Sequence, residues 1–101
     1  MMRTRMAGSL RAPDAGEPVV LAGWVAVRRD HGGVVFLDIR DASGIVQVVA
    51  DPDALEGDVH HVGREWVVRV EGTVQPRPEG TVNSDLPTGD VEVKATAIEV
   101  L

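Results

Sequence analysis

Hydrophobic positions along the chain fall into five valine-rich runs, set apart by clusters of Gly, Pro, Asp and Asn. β-Branched residues fit a pleated strand and lose rotamer freedom in a helix, so these runs predict strands. The first extends from Val19 to Arg29, follows Pro18 and contains Gly23; a glycine inside a strand marks a bulge or a sharp coil. Asp30-His31-Gly32-Gly33 then predicts a turn, because paired glycines adopt positive φ at little cost. The second run is Val34 to Arg40, the turn Asp41-Ala42-Ser43-Gly44 follows, and the third run is Ile45 to Ala50.

Residues 51–64 break the alternation. Asp51-Pro52-Asp53-Ala54-Leu55 has a capping aspartate and a proline in the first turn, which start a helix, while Gly57 and Gly63 limit its length. The fourth run, Glu65 to Gln75, sets Trp66, Val68 and Val70 on one face and Val67, Arg69 and Glu71 on the other. A long loop, Pro76 to Asp90, precedes the fifth run, Val91 to Leu101. Strand, strand, strand, short helix, strand, long loop, strand is the order of the OB-fold, a five-stranded Greek-key barrel. The expected fold is therefore all-β, in one domain: an N-terminal arm over 1–17 and a barrel over 18–101, with a short helix between strands three and four.

Alternation assigns faces. Val35, Leu37 and Ile39 of the second run point inward, and Val34, Phe36, Asp38 and Arg40 outward. In the third run Val46 and Val48 point inward, and Ile45, Gln47 and Val49 outward. A loop over 41–44 pairs Arg40 with Ile45, so Asp38 opposes Gln47 and Phe36 opposes Val49. The only phenylalanine of the chain is thus expected outside the barrel. It is either a stacking platform for an unpaired base or a ring covered by the long loop or by a partner domain. Gln47, able to donate and accept together, either reads a base edge or is a solvated strand residue. Arg28 and Arg29, beside the glycine turn, suit phosphate or base contact, or pair at the surface with Asp30 or Asp38. His31 sits at the turn tip, where histidines are usually only solvated. His60 and His61 are neighbours in the weak helix and do not share a face, so no metal site is expected there.

Charge narrows the partners. The chain of 101 residues carries a net charge of −6, opposite to a basic nucleic-acid footprint. The charge is uneven: residues 1–40 hold six arginines against four acids, and residues 41–101 hold four basic groups against twelve acids. Binding to a polyanion would rest on a local arginine cluster and shape rather than on bulk attraction. Cysteine is absent, which excludes disulfides and thiolate chemistry. No apolar run approaches membrane-span length and the start has no signal-peptide core, so a cytoplasmic domain without membrane contact is expected. The motifs G-x-x-x-x-G-K-[ST], H-E-x-x-H and G-x-S-x-G are missing, and no carboxylate pair is marked as acid and base. No enzyme activity is expected of this chain alone.

Gly23-Trp24-Val25, Arg28-Arg29-Asp30-His31-Gly32-Gly33, Phe36-Leu37-Asp38-Ile39-Arg40-Asp41 and Gly44-Ile45-Val46-Gln47-Val48, in this order, resemble the N-terminal anticodon-binding domain of bacterial aspartyl-tRNA synthetases. The likeness continues through Arg77-Pro78-Glu79-Gly80, Asn83 and Thr88-Gly89-Asp90-Val91-Glu92-Val93, and covers nearly the whole chain. Val27 stands where that family usually has a third arginine, and Thr81 where an asparagine is common.

The resemblance implies a tRNA-binding module that reads G-U-C-type anticodons, with tRNA(Asp) as partner and tRNA(Asn) as a possible second. By position, Phe36 would stack on the middle anticodon base and Gln47 would hydrogen-bond it as uridine. Arg29 would contact the third base and Glu92 the first, while Arg77 and Asn83 would hold the splayed strand. His31 and Gly80 resemble the versions that accept both tRNAs. No cofactor is implied for this chain: the ATP and magnesium of that family belong to a class II catalytic domain beyond Leu101. The chain is then an excised domain or a stand-alone paralogue, monomeric if isolated. Two other functions suit the same pattern: a sequence-tolerant single-strand binder, and an OB-fold protein-interaction module.

Overall fold

The computed structural model describes residues 3–51 and 62–101. Five strands form a closed barrel: β1 (Pro18–His31), β2 (Val34–Asp41), β3 (Gly44–Ala50), β4 (Val67–Pro76) and β5 (Val91–Val100), joined in the order β1-β2-β3-β5-β4. All pairings are antiparallel except β3 with β5. That one parallel contact, Val48 beside Val93 and Val49 beside Lys94, closes the Greek key. The short helix expected between β3 and β4 lies outside the described residues, as do His60 and His61.

The first two connections are tight hairpins. Gly32 and Gly33 take φ of 58° and 87°, the left-handed pair that a two-residue turn needs to match strand twist. Ala42 and Ser43 make the second turn, leaving Asp41 opposite Gly44. The β2–β3 register is the expected one, Arg40 with Ile45, Asp38 with Gln47 and Phe36 with Val49. Accordingly Val35, Leu37, Ile39, Val46 and Val48 are fully buried, and they meet Leu21, Val25, Val68, Val70, Val74, Val91 and Val93 in the barrel core.

Gly23 is not the bulge that the sequence suggests. The β1–β2 ladder shifts between Val25 and Val27 instead. Gly23 is required for close approach, since a Cβ there would collide with the Arg40 carbonyl oxygen. Trp66 is also placed differently. Glu65 has a φ of 73°, the strand begins only at Val67, and Trp66 does not join Val68 and Val70 in the core. The Glu65 N–H and the Trp66 carbonyl both bond Val25, so the pairing is irregular just where the sequence pattern put Trp66 in line with Val68 and Val70.

The arm is part of the barrel rather than an appendage. Two 3₁₀ turns, Ala7–Ser9 and Ala12–Asp14, carry it along one end, and Ala7 and Leu10 are fully buried in the core. The Thr4 N–H donates to the Val20 carbonyl (2.8 Å), the Gly16 N–H to the Val74 carbonyl (2.7 Å) and the Val74 N–H to the Glu17 carbonyl (2.9 Å). Arg5 bonds Asp14 and Glu17, and Asp41 anchors the first turn by accepting the Ala7 N–H (2.6 Å).

Candidate functional site

The outward row of β2 and β3 opens into a cleft of about 540 Å³. Arg29, His31, Val34, Phe36, Gln47, Val49 and Glu92 form its strand side, and Arg77, Pro78 and Thr81 of the long loop form the other wall. Six of the eight residues singled out in the sequence therefore meet here: Arg29, His31, Phe36, Gln47, Arg77 and Glu92.

The ladder shift at Ala26 selects one arginine of the pair. Beyond it, Val27 opposes Asp38, Arg28 opposes the buried Leu37, and Arg29 opposes Phe36. Arg29 is turned onto the outer face with the ring, while Arg28 shares the row of the core residue and bonds Asp30 (2.9 Å) away from the cleft. His31 meets Phe36 edge-on, with ring centroids 6.0 Å apart and planes at 75°. Phe36 is half-buried in the cleft wall, neither in the core nor sealed beneath the loop. That leaves a ring surface of the kind on which a flat base stacks.

Beside the ring lies a chain of polar side chains. Arg29 donates to both Asp38 oxygens, Nη2 to Oδ1 at 2.9 Å and Nη1 to Oδ2 at 3.2 Å. Its Nη2 also donates to Gln47 Oε1 (3.1 Å). Gln47 Nε2 donates to Glu92 Oε1 (3.0 Å), and Gln75 Nε2 donates to Glu92 Oε2 (2.6 Å). Gln47 and Glu92 are 8% and 3% exposed, so the middle of this chain is buried, while its Arg29 and Gln75 ends are only partly covered. Satisfied networks of this kind fix side-chain orientation, because breaking any member leaves an unpaired polar group in a low-dielectric setting.

Arg77 holds the loop wall: its Nε donates to the Val91 carbonyl (3.2 Å) and its Nη1 to the Thr81 carbonyl (3.2 Å). Asn83 is not in the cleft. Its Oδ1 accepts the Asp85 N–H (3.0 Å) and its own N–H donates to the Gly89 carbonyl (3.0 Å), so it shapes the loop from within. Gln75 is the network member that the sequence reading missed. It faces Glu92 only through the β4–β5 register, which itself slips between Glu71 and Gly72, and no local pattern signals that pairing.

Among the described residues no three His, Cys, Asp or Glu side chains gather as metal ligands, and no helix is long and apolar enough to cross a membrane.

Residues 19–101 match the tRNA anticodon family model, described as an OB-fold nucleic acid binding domain. Over its whole length the chain is 58% identical to the aspartate–tRNA(Asp/Asn) ligase of Mycolicibacterium gilvum and 60% identical to that of Thermobifida fusca. It spans 17% of the length of each. Among solved structures, asparaginyl-tRNA synthetase from Pyrococcus horikoshii superimposes with a TM-score of 0.82 at 31% identity, over all of this chain and 23% of that one.

Proposed function

The chain belongs to the OB-fold nucleic acid binding domain family, and from that membership we propose that it binds an unpaired tRNA anticodon loop in the cleft of Phe36, Gln47 and Arg29. The observation that carries this reading is the joint projection of one ring and one carboxamide from adjacent outward rows into the same cleft. RNA sequence is read where bases unstack onto aromatic rings and expose their edges to hydrogen-bonding groups. Phe36 stacks on the middle base and Gln47 bonds its edge as uridine. Arg29 meets the third base, and Arg77 sets the loop wall against which the strand lies. The fit is to G-U-C-type anticodons. The relatives' designation as tRNA(Asp/Asn) ligases supports tRNA(Asp) and tRNA(Asn) as partners, and such partners imply a cytoplasmic site of action. The ligase reaction of those longer relatives is not assigned to these residues.

Sequence-tolerant single-strand binding is the weaker reading. It rests on a basic groove, whereas this chain carries a net −6 and Arg29 is already paired with Asp38. The test is titration of a fluorescent anticodon stem-loop bearing G-U-C against one whose middle base is changed to C. Preference for the first supports the proposal; equal affinity for both contradicts it.

A further inference from the structure

The row of outward positions that contains Phe36 does not end at the cleft. Across successive ladders Arg29 stands opposite Phe36, Phe36 opposite Val49, Val49 beside Lys94, and Lys94 opposite Thr73. The row therefore crosses all five strands, with a cation on each side of the ring. At the ~4.8 Å separation of neighbouring strands, the Lys94 backbone lies about 10 Å from that of Phe36, and the Arg29 backbone about 5 Å away on the opposite side. Arg29, Phe36 and Val49 line the cleft, and Lys94 stands just past its Val49 edge.

The two cations differ in how their charge is used. Arg29 is held by both oxygens of Asp38, so much of its charge is already offset. Arg5, Arg28 and Arg69 are likewise paired with carboxylates. Lys94 is the only lysine of the chain. It is exposed, and among the described residues it forms no ion pair. Its surroundings explain this: Val49 and Thr73 across the two ladders, and Thr96 two positions on along the same strand, are all uncharged. An ammonium is a compact, strongly hydrated point charge without a planar edge, which suits a phosphate better than a base.

We propose that Lys94 binds a backbone phosphate of the RNA strand on the 5′ side of the stacked base. The proposal rests on the anticodon reading for its polarity. With the third base at Arg29, on the β1 side of the ring, the 5′ part of the strand passes over Val49 toward β5. Phosphate contacts carry affinity and salt dependence but no base information. Lys94 thus anchors the strand, while the ring and Gln47 choose the base. In a chain of net charge −6, one unshared cation where the backbone crosses takes the place of a broad basic surface.

The test uses the 101-residue chain and G-U-C stem-loops, followed by fluorescence anisotropy over a series of KCl concentrations. Lys94→Gln should bind about fivefold more weakly at ~0.1 M salt, and its slope of log K against log salt should be shallower by about 0.7, the value for one phosphate of a single strand. Lys94→Arg should keep both affinity and slope. The preference for U over C at the middle position should be the same in all three proteins. Stem-loops carrying one uncharged methylphosphonate linkage locate the contact. At one of the two linkages 5′ of the middle base, the substitution should weaken the parent about fivefold and leave Lys94→Gln unaffected. At the linkages 3′ of that base it should act on both proteins alike.

An unchanged salt slope in Lys94→Gln overturns the proposal. Methylphosphonate effects that match in parent and Lys94→Gln at every linkage mean that the lysine acts only through long-range charge, and overturn the contact. A parent that shows a Lys94-dependent slope without preferring U over C overturns the base reading and leaves the phosphate contact standing. A parent that binds no stem-loop overturns both.

Discussion

Arg29 lies directly opposite Phe36 across the β1–β2 ladder, and it does so because the ladder shifts by one residue between Val25 and Val27. Without that shift the two arginines would exchange faces. The difference between them is measurable. Arg29→Ala is expected to weaken anticodon stem-loop binding by about 1.5–3 kcal/mol, the range for a hydrogen bond to a charged group. Arg28→Ala, on the row of Leu37 and bonded to Asp30, is expected to change binding by less than about 0.5 kcal/mol. Fluorescence anisotropy at fixed salt checks both, and equal losses would contradict the assignment of faces.

Phe36 is the corresponding test of the stacking surface. Phe36→Ala should weaken stem-loop binding by about 1–3 kcal/mol, the range for a base stacked on an aromatic ring. Because the ring lies outside the core, the cost in folding stability should fall well below the ~3–5 kcal/mol typical of Phe→Ala in a core. Urea unfolding of the same variant separates the two effects. A large loss of stability with unchanged binding would assign the ring to packing alone.

Much of this site was legible in the sequence because β2 and β3 are regular. Period-two alternation put Phe36, Asp38 and Gln47 outside, and the hairpin at 41–44 gave their register without further information. Gly32-Gly33 announced its own turn. What was not legible depended on irregularities. The choice between Arg28 and Arg29 turns on one unpaired residue, Ala26, that carries no distinctive chemistry. Trp66 shares the alternation of Val68 and Val70 in the sequence, yet it is exposed, because the regular strand begins only at Val67, after the left-handed Glu65. Gln75 joins the site through a register with its own slip near Gly72. Local pattern fixes faces within a strand; shifts between strands are settled by packing, which no short window of sequence contains.

The N-terminal segment shows the same limit in terms of stability. Leu10 sits among polar and small residues in the sequence and in no strand, yet it is fully buried at one end of the barrel. Leu10→Ala should destabilise the fold by about 2–5 kcal/mol, as loss of a core leucine does. Urea denaturation followed by tryptophan fluorescence measures it. A cost below ~1 kcal/mol would mean that the segment is dispensable to the barrel.

Asp41 ties that segment to the β2–β3 hairpin and should make the tie acid-sensitive. Burial alone pushes its carboxyl up, since it is 7% exposed. Hydrogen bonds from the Ser43 hydroxyl, from the Ala7 N–H (2.6 Å) and from the Ser43 N–H (2.8 Å) outweigh burial, and Arg3 adds a favourable charge, so the net shift is downward. A carboxyl whose pKa is lower in the folded than in the unfolded chain stabilises the fold above its unfolded value, about 4. That contribution is lost as the pH falls through the lower, folded value. Asp41→Asn keeps one acceptor but turns an NH₂ toward a donor. It should cost about 1–3 kcal/mol at pH 7, the range for a buried group left unpaired. The gap between parent and variant should narrow as the pH drops below about 4, because protonation removes from the parent the same acceptor that the variant lacks. Urea midpoints for both proteins at pH 7, 4 and 3 test this, and a gap that stays constant with pH would show that the carboxylate charge contributes nothing to holding the arm.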